Sequence, residues 1–167
     1  LNCAMGDLAV TQLKKTSSQG EYALDTLMLK AGNDRNGHYL TLQSDFAHAQ
    51  VSGRFDYKTL VQSLKNAIVR KLPSIQQLTP IKYRATPSND FTLQAVVNRT
   101  DWLREFFGID MELEEPMRIT GAMSHGSENI EANIFAPQIV YDNTQYKNVN
   151  IVITSPNNDL NADISVT

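Results

Sequence analysis

The chain has one cysteine, one tryptophan, three histidines and no long apolar run. Its only thiol among 167 residues is Cys3, close to the start, so no intrachain disulfide can form and nothing indicates a disulfide-stapled scaffold. Cys3 also lacks any sequence neighbour that would lower its pKa, which makes it a bystander rather than a nucleophile. No stretch approaches the length of a membrane-spanning helix. The first residues, Leu1-Asn2-Cys3-Ala4-Met5-Gly6, carry neither a charged n-region nor an apolar h-region. The sequence begins without Met and enters strand-like residues almost at once. We expect it to be a piece of a longer polypeptide, with any signal or anchor outside it.

Charge of either sign is also scarce. Charged residues are 20% of the chain, the formal net charge is −3 and the pI is near 5.6. Such a surface exerts no long-range pull on phosphate backbones, so nucleic acid is not an expected partner. Membrane contact is expected only through parts of the parent protein outside this chain. His38, His48 and His125 stand at no helical or short-loop metal spacing. No nucleophile elbow, phosphate loop or Gly-rich dinucleotide turn occurs, so neither catalytic residues, metal nor cofactor are expected. Asp110, Glu112, Glu114 and Glu115 offer carboxylates for acid–base work, and a hydrolase using them with a histidine would need these groups to converge. Their alternation with Met111 and Leu113 suits the solvent face of an edge strand instead. Asn98-Arg99-Thr100 matches a glycosylation sequon, but Thr100 is also wanted as a helix N-cap.

What the chain does have is alternation. Tyr22 to Gln43 and Tyr146 to Thr167 align without a gap. Each copy holds an apolar run, Leu27 and Leu29 or Ile151 and Ile153, then an Asn-rich turn, then a second run, Leu40 and Leu42 or Ile164 and Val166. Strand, polar turn, strand is the reading, and a recurring hairpin suggests a sheet extended by repetition. Further strands are expected at Leu8 to Leu13, Ala47 to Phe55, Phe91 to Val97, Met117 to Ser124, Ile130 to Ala136, Ile139 to Tyr141, Val149 to Ile153 and Leu160 to Val166. Short spacings between them imply antiparallel neighbours.

The period changes twice. From Lys58 to Leu72, Leu60, Val61, Leu64, Ala67, Ile68 and Leu72 recur at three- and four-residue spacing, predicting an amphipathic helix capped by Asp56 and stopped by Pro73. A shorter helix is predicted around Trp102, Leu103, Phe106 and Phe107, with Gly108 after it. The expected fold class is therefore α+β and β-dominated, in one domain over 1–167. It is an antiparallel, twisted or folded-over sheet of repeating strands, with one long and one short helix on its apolar face.

Leu27, Leu29, Leu40, Leu42, Val51, Phe55, Phe91, Leu93, Val97, Ile119, Ile130, Ile134, Ile151, Ile153, Ile164 and Val166 form the candidate site. They are either a closed core beneath the helices or, in part, an open binding face. Nine strands at ~4.8 Å extend ~43 Å, whereas a four-turn helix covers ~22 Å. An open apolar face beyond a few hundred Å² usually binds something.

Leu40-Thr41-Leu42-Gln43-Ser44-Asp45-Phe46, Val51-Ser52-Gly53-Arg54-Phe55-Asp56-Tyr57 and Ile139 to Val149 resemble repeats of large TamB- and AsmA-like envelope proteins, particularly those of Bacteroidetes. The resemblance implies a periplasmic, inner-membrane-anchored protein that spans the envelope as a long curved sheet with a greasy inside. It also implies a role in lipid transfer or outer-membrane protein assembly, with phospholipid acyl chains and assembly proteins as partners, and no catalytic motif. The two predicted helices depart from an uninterrupted groove of strands. The alternative is a self-contained β-rich binding or adhesion module with a closed core and no lipid.

Overall fold

The computed structural model describes residues 5–17, 20–35, 37–60, 62–63, 89–102, 110–124, 129–155 and 160–167. Among the described residues ten strands form one sheet: β1 (Gly6–Ser17), β2 (Gly20–Asp34), β3 (Gly37–Ser44), β4 (Ala47–Arg54), β5 (Asp90–Val97), β6 (Met111–Leu113), β7 (Met117–Ser124), β8 (Asn129–Tyr141), β9 (Thr144–Thr154) and β10 (Asn161–Ser165). Their order in space is β1-β2-β3-β4-β5-β7-β8-β9-β10, with β6 paired to β8 off this path, and every pairing is antiparallel.

The expected α+β class is corrected. The described residues are all-β, and neither the long nor the short helix is among their elements. Period-two alternation runs through the described segments, and antiparallel ladders satisfy their backbones. Most of the predicted helix at Lys58 to Leu72 lies outside the described residues. At its start, Asp56 Oδ1 accepts from the amides of Lys58 (2.8 Å) and Thr59 (3.3 Å), closing a turn after β4. Of the second predicted helix, Leu103 to Gly108 also lie outside. The buried Thr100 hydroxyl donates to the Met111 carbonyl, tying the segment after β5 to β6, and the amide of Leu103 that it would cap lies outside the described residues. The Trp102 indole N–H donates to the Arg99 carbonyl at 2.9 Å, and its ring lies 5.8 Å from that of Phe46.

Two further details differ from the sequence reading. Ile130 to Ala136 and Ile139 to Tyr141 belong to one strand, β8, despite Pro137. β7 pairs the first half of β8 and β6 the second. Between these ladders Glu114 to Met117 oppose Ala136 to Gln138, an extra residue on one side, which is a β-bulge. On the other side, Pro137 falls opposite Asn148, whose φ is 48°, and that pair is skipped by the ladder. A residue without an N–H is tolerated there because both ladders are interrupted at that point. The two halves of the internal echo are indeed both hairpins, but their registers differ. Leu29 faces Leu42 in the first, whereas Ile153 faces Ala162 in the second.

The connection leaving β4 is held by a buried polar node. Asn89 is 0% exposed. Its Oδ1 accepts from the Asp56 amide at 2.8 Å, and its Nδ2 donates to Ser63 Oγ and to Thr59 Oγ1 at 3.4 Å. Nearby, the Tyr57 hydroxyl donates to the carbonyls of Gly32 (2.5 Å) and Tyr39 (2.9 Å), and burial pushes its pKa above the ordinary 10.0.

Candidate functional site: an apolar sheet face

The register converts alternation into two continuous apolar rows. From β1 to β10, Leu8, Leu29, Leu42, Ala49, Ala95, Ile119, Ile134, Ile151 and Ile164 stand directly opposite one another, strand by strand. The adjacent row is Gly6, Ala31, Leu40, Val51, Leu93, Gly121, Ala132, Ile153 and Ala162. Opposite residues in an antiparallel pair project to the same face, so these rows share one side of the sheet. Nine strands at ~4.8 Å give each row a span of roughly 38 Å between its end residues.

Most of the candidate residues fall in or beside these rows. Leu29, Leu42, Ile119, Ile134, Ile151 and Ile164 are in the first, and Leu40, Val51, Leu93 and Ile153 in the second. A flanking row carries Leu27 and Val97, the latter facing Met117. Val97, Phe55 and Ile130 are buried. Leu27, Leu29, Leu40, Leu42, Val51, Phe91, Leu93, Ile119, Ile134, Ile151 and Ile153 are half-buried, and both ends are open, with Leu8 54%, Ile164 68% and Val166 45% exposed. Phe55 lies just beyond β4, inside an aromatic group. Its ring centroid is 5.7 Å from His38, 5.2 Å from Tyr57 and 6.3 Å from Phe91. Phe91 in turn packs against buried Met123 and Ile130, so this end of the face is a closed core.

Sequence reasoning passed over Leu8 and the small members Ala31, Ala49, Ala95, Gly121, Ala132 and Ala162. They are in phase with the bulky residues on their own strands, a signal that a search for large aliphatics discards.

The other face is polar. Asp7, Lys30, Thr41, Gln50, Gln94, Thr120, Asn133, Val152 and Asp163 form one of its rows. Gln43, His48, Val96 and Arg118 lie in the next. A depression of about 550 Å³ is lined by the β3, β4, β5 and β7 members of these two rows, together with the backbone-linked residues Leu42, Ala49, Ala95 and Ile119 between them.

Among the described residues the titratable groups do not gather. His38 joins the aromatic group and meets Asn33 Oδ1, His48 lies on the polar face, and His125 is outside the described residues. Glu114 takes hydrogen bonds from Gln138 and, at 3.2 Å, from Gln145, while Glu112 and Glu115 are exposed. Among the described residues no three of His, Cys, Asp or Glu form a metal-binding group, and no helix is long and apolar enough to cross a membrane. Compared with protein-family models, curated proteins and solved structures, the chain shows no significant match to any of them.

Proposed function

We propose that this chain is a non-enzymatic segment of a periplasmic, envelope-spanning β-sheet protein. On this reading it shields apolar ligands, phospholipid acyl chains first among them, in the service of lipid transfer or outer-membrane protein assembly. The observation that carries the reading is the pair of adjacent rows, each apolar across nine strands and open at Leu8 and Ile164. An apolar face of that length that remains half-exposed is a surface for desolvating something else. An acyl chain laid on it gains about 0.8 kcal/mol per methylene removed from water, with no directional contact required. The resemblance to TamB- and AsmA-like repeats supports the same role.

The test is mass spectrometry of the purified protein under delipidating conditions, with an Ile119→Asp, Ile134→Asp variant alongside. Phospholipid is expected with the parent protein and is lost from the variant, whose far-ultraviolet spectrum stays that of a sheet. A lipid-free parent, or equal lipid on a folded variant, overturns the reading in favour of a self-contained β-rich binding or adhesion module.

A further inference from the structure

The polar face carries an arrangement that acyl-chain binding does not use. The 550 Å³ depression is shallow and broadly open to solvent, so it offers a ligand one face of contact and not enclosure. Its lining contains the Arg118 guanidinium, the His48 imidazole, several neutral amides and hydroxyls, the apolar Val96 with four residues of the first apolar row, and no carboxylate. In a chain of net charge −3 this patch is locally positive. The register explains it. His48 faces Val96, which faces Arg118, so the imidazole and the guanidinium share a row two strand spacings apart, roughly 10 Å. The neighbouring row supplies Gln50 opposite Gln94, which faces Thr120. Glu131 stands opposite Ala122, two rows beyond Arg118.

Among the described residues neither Arg118 nor His48 makes a hydrogen bond or ion pair, whereas Arg99 is tied to Asp45 and Asp101. An exposed guanidinium beside a depression presents a planar fork of donors matched to a single oxyanion. Side-chain amides both donate and accept, which suits a body rich in hydroxyl groups.

We propose that this depression is a second binding site, for a hydroxyl-rich ligand bearing one oxyanion, the chemistry of a sugar phosphate. Arg118 holds the anion, and the Gln50–Gln94 pair receives the hydroxyls. The polar side chains assigned to this ligand project from the face opposite the apolar rows, although Leu42, Ala49, Ala95 and Ile119 of the first row also line the depression.

The probe is glucose 6-phosphate, followed by chemical-shift titration of the protein, with glucose and inorganic phosphate as separate arms. Glucose 6-phosphate is expected to bind in the millimolar range or tighter and to shift β4, β5 and β7 resonances, with each half-ligand weaker. Arg118→Gln removes a charge-assisted contact and is expected to weaken binding at least ~10-fold. Lys30→Gln, on the same face but outside the depression, leaves affinity unchanged. No binding, phosphate binding as tightly as glucose 6-phosphate, or equal loss in Lys30→Gln and Arg118→Gln each overturns the proposal. Lipid content is unaffected by Arg118→Gln, so this result is separable from the test of the apolar face.

Discussion

Replacing Asn89 with Ala should cost a large share of this protein's stability, although Asn89 touches neither face of the sheet that we associate with ligands. The side chain is completely buried and makes three hydrogen bonds: from the Asp56 amide, to Ser63 Oγ and to Thr59 Oγ1. Alanine removes all three and leaves their partners behind. Ser63 is only 1% exposed, so its hydroxyl loses a partner away from solvent. A buried polar group stranded in this way costs about 1–3 kcal/mol. The Asp56 amide and Thr59 hydroxyl are partly buried and recover some hydration, so each contributes toward the low end. The sum is about 3–5 kcal/mol, against a total stability of roughly 5–15 kcal/mol for a domain. At this length each kcal/mol moves the melting temperature by about 2–4 °C, so Asn89→Ala should melt roughly 6–20 °C below the parent. Thermal unfolding followed by circular dichroism reads this directly, and urea titration gives the free-energy change. A companion cycle with Ser63→Ala should be less than additive, because both changes remove the same contact. A melting temperature within about 1 °C of the parent would show that the node does not hold the connection leaving β4.

The remaining predictions concern backbone and protonation. Gly53 has φ of +144°, and a Cβ there would sit 2.3 Å from the Asp90 carbonyl oxygen. Gly53→Ala should therefore destabilise by about 2 kcal/mol or more, read as a lowered urea midpoint with an unchanged slope. Tyr57 has its pKa raised by burial, so the folded state retains the phenolic proton longer than the unfolded state. Stability from this group is complete below the ordinary value of 10.0 and is lost as pH rises from there through the higher folded value. Absorbance titration of the phenolates should show one late-ionising tyrosine that disappears in Tyr57→Phe, and an unaltered titration in that variant would contradict the assignment.

How far the fold was legible follows from the range of the interactions involved. Strands such as Ala47 to Arg54 and Phe91 to Val97 announce themselves through alternation, because a side-chain period of two needs no knowledge of the partner strand. Hairpins such as β2–β3 were readable for the same local reason. Register was not. Whether Ile153 meets Ala162 or Val166 depends on turn geometry that the echo with Leu29 and Leu42 does not encode. Pro137 misled because the usual rule treats proline as a strand end, and only the paired interruption at β6, β7 and Asn148 removes its penalty. Thr100 carried two local signals, cap and sequon, and neither announces the bond its hydroxyl donates to the Met111 carbonyl, a contact made by tertiary proximity. Of the candidate site, the bulky aliphatics were readable one by one. Their merger into rows, and the alanines and glycine that complete them, came only with the pairing order.

Because seven of the nine ladders join strands that follow one another along the chain, and the other two, β5–β7 and β6–β8, skip a single strand, the sheet has no closing step in which distant termini must find each other. Each hairpin brings together residues close in sequence, so ordering at any one of them reduces the entropic cost of adding the next, and assembly proceeds by lateral zipping from several starting points. The long excursion between β4 and β5 is the exception. The joining of the four-strand β1–β4 block to the rest should therefore be the slow phase of refolding, and Asn89 stands at that seam.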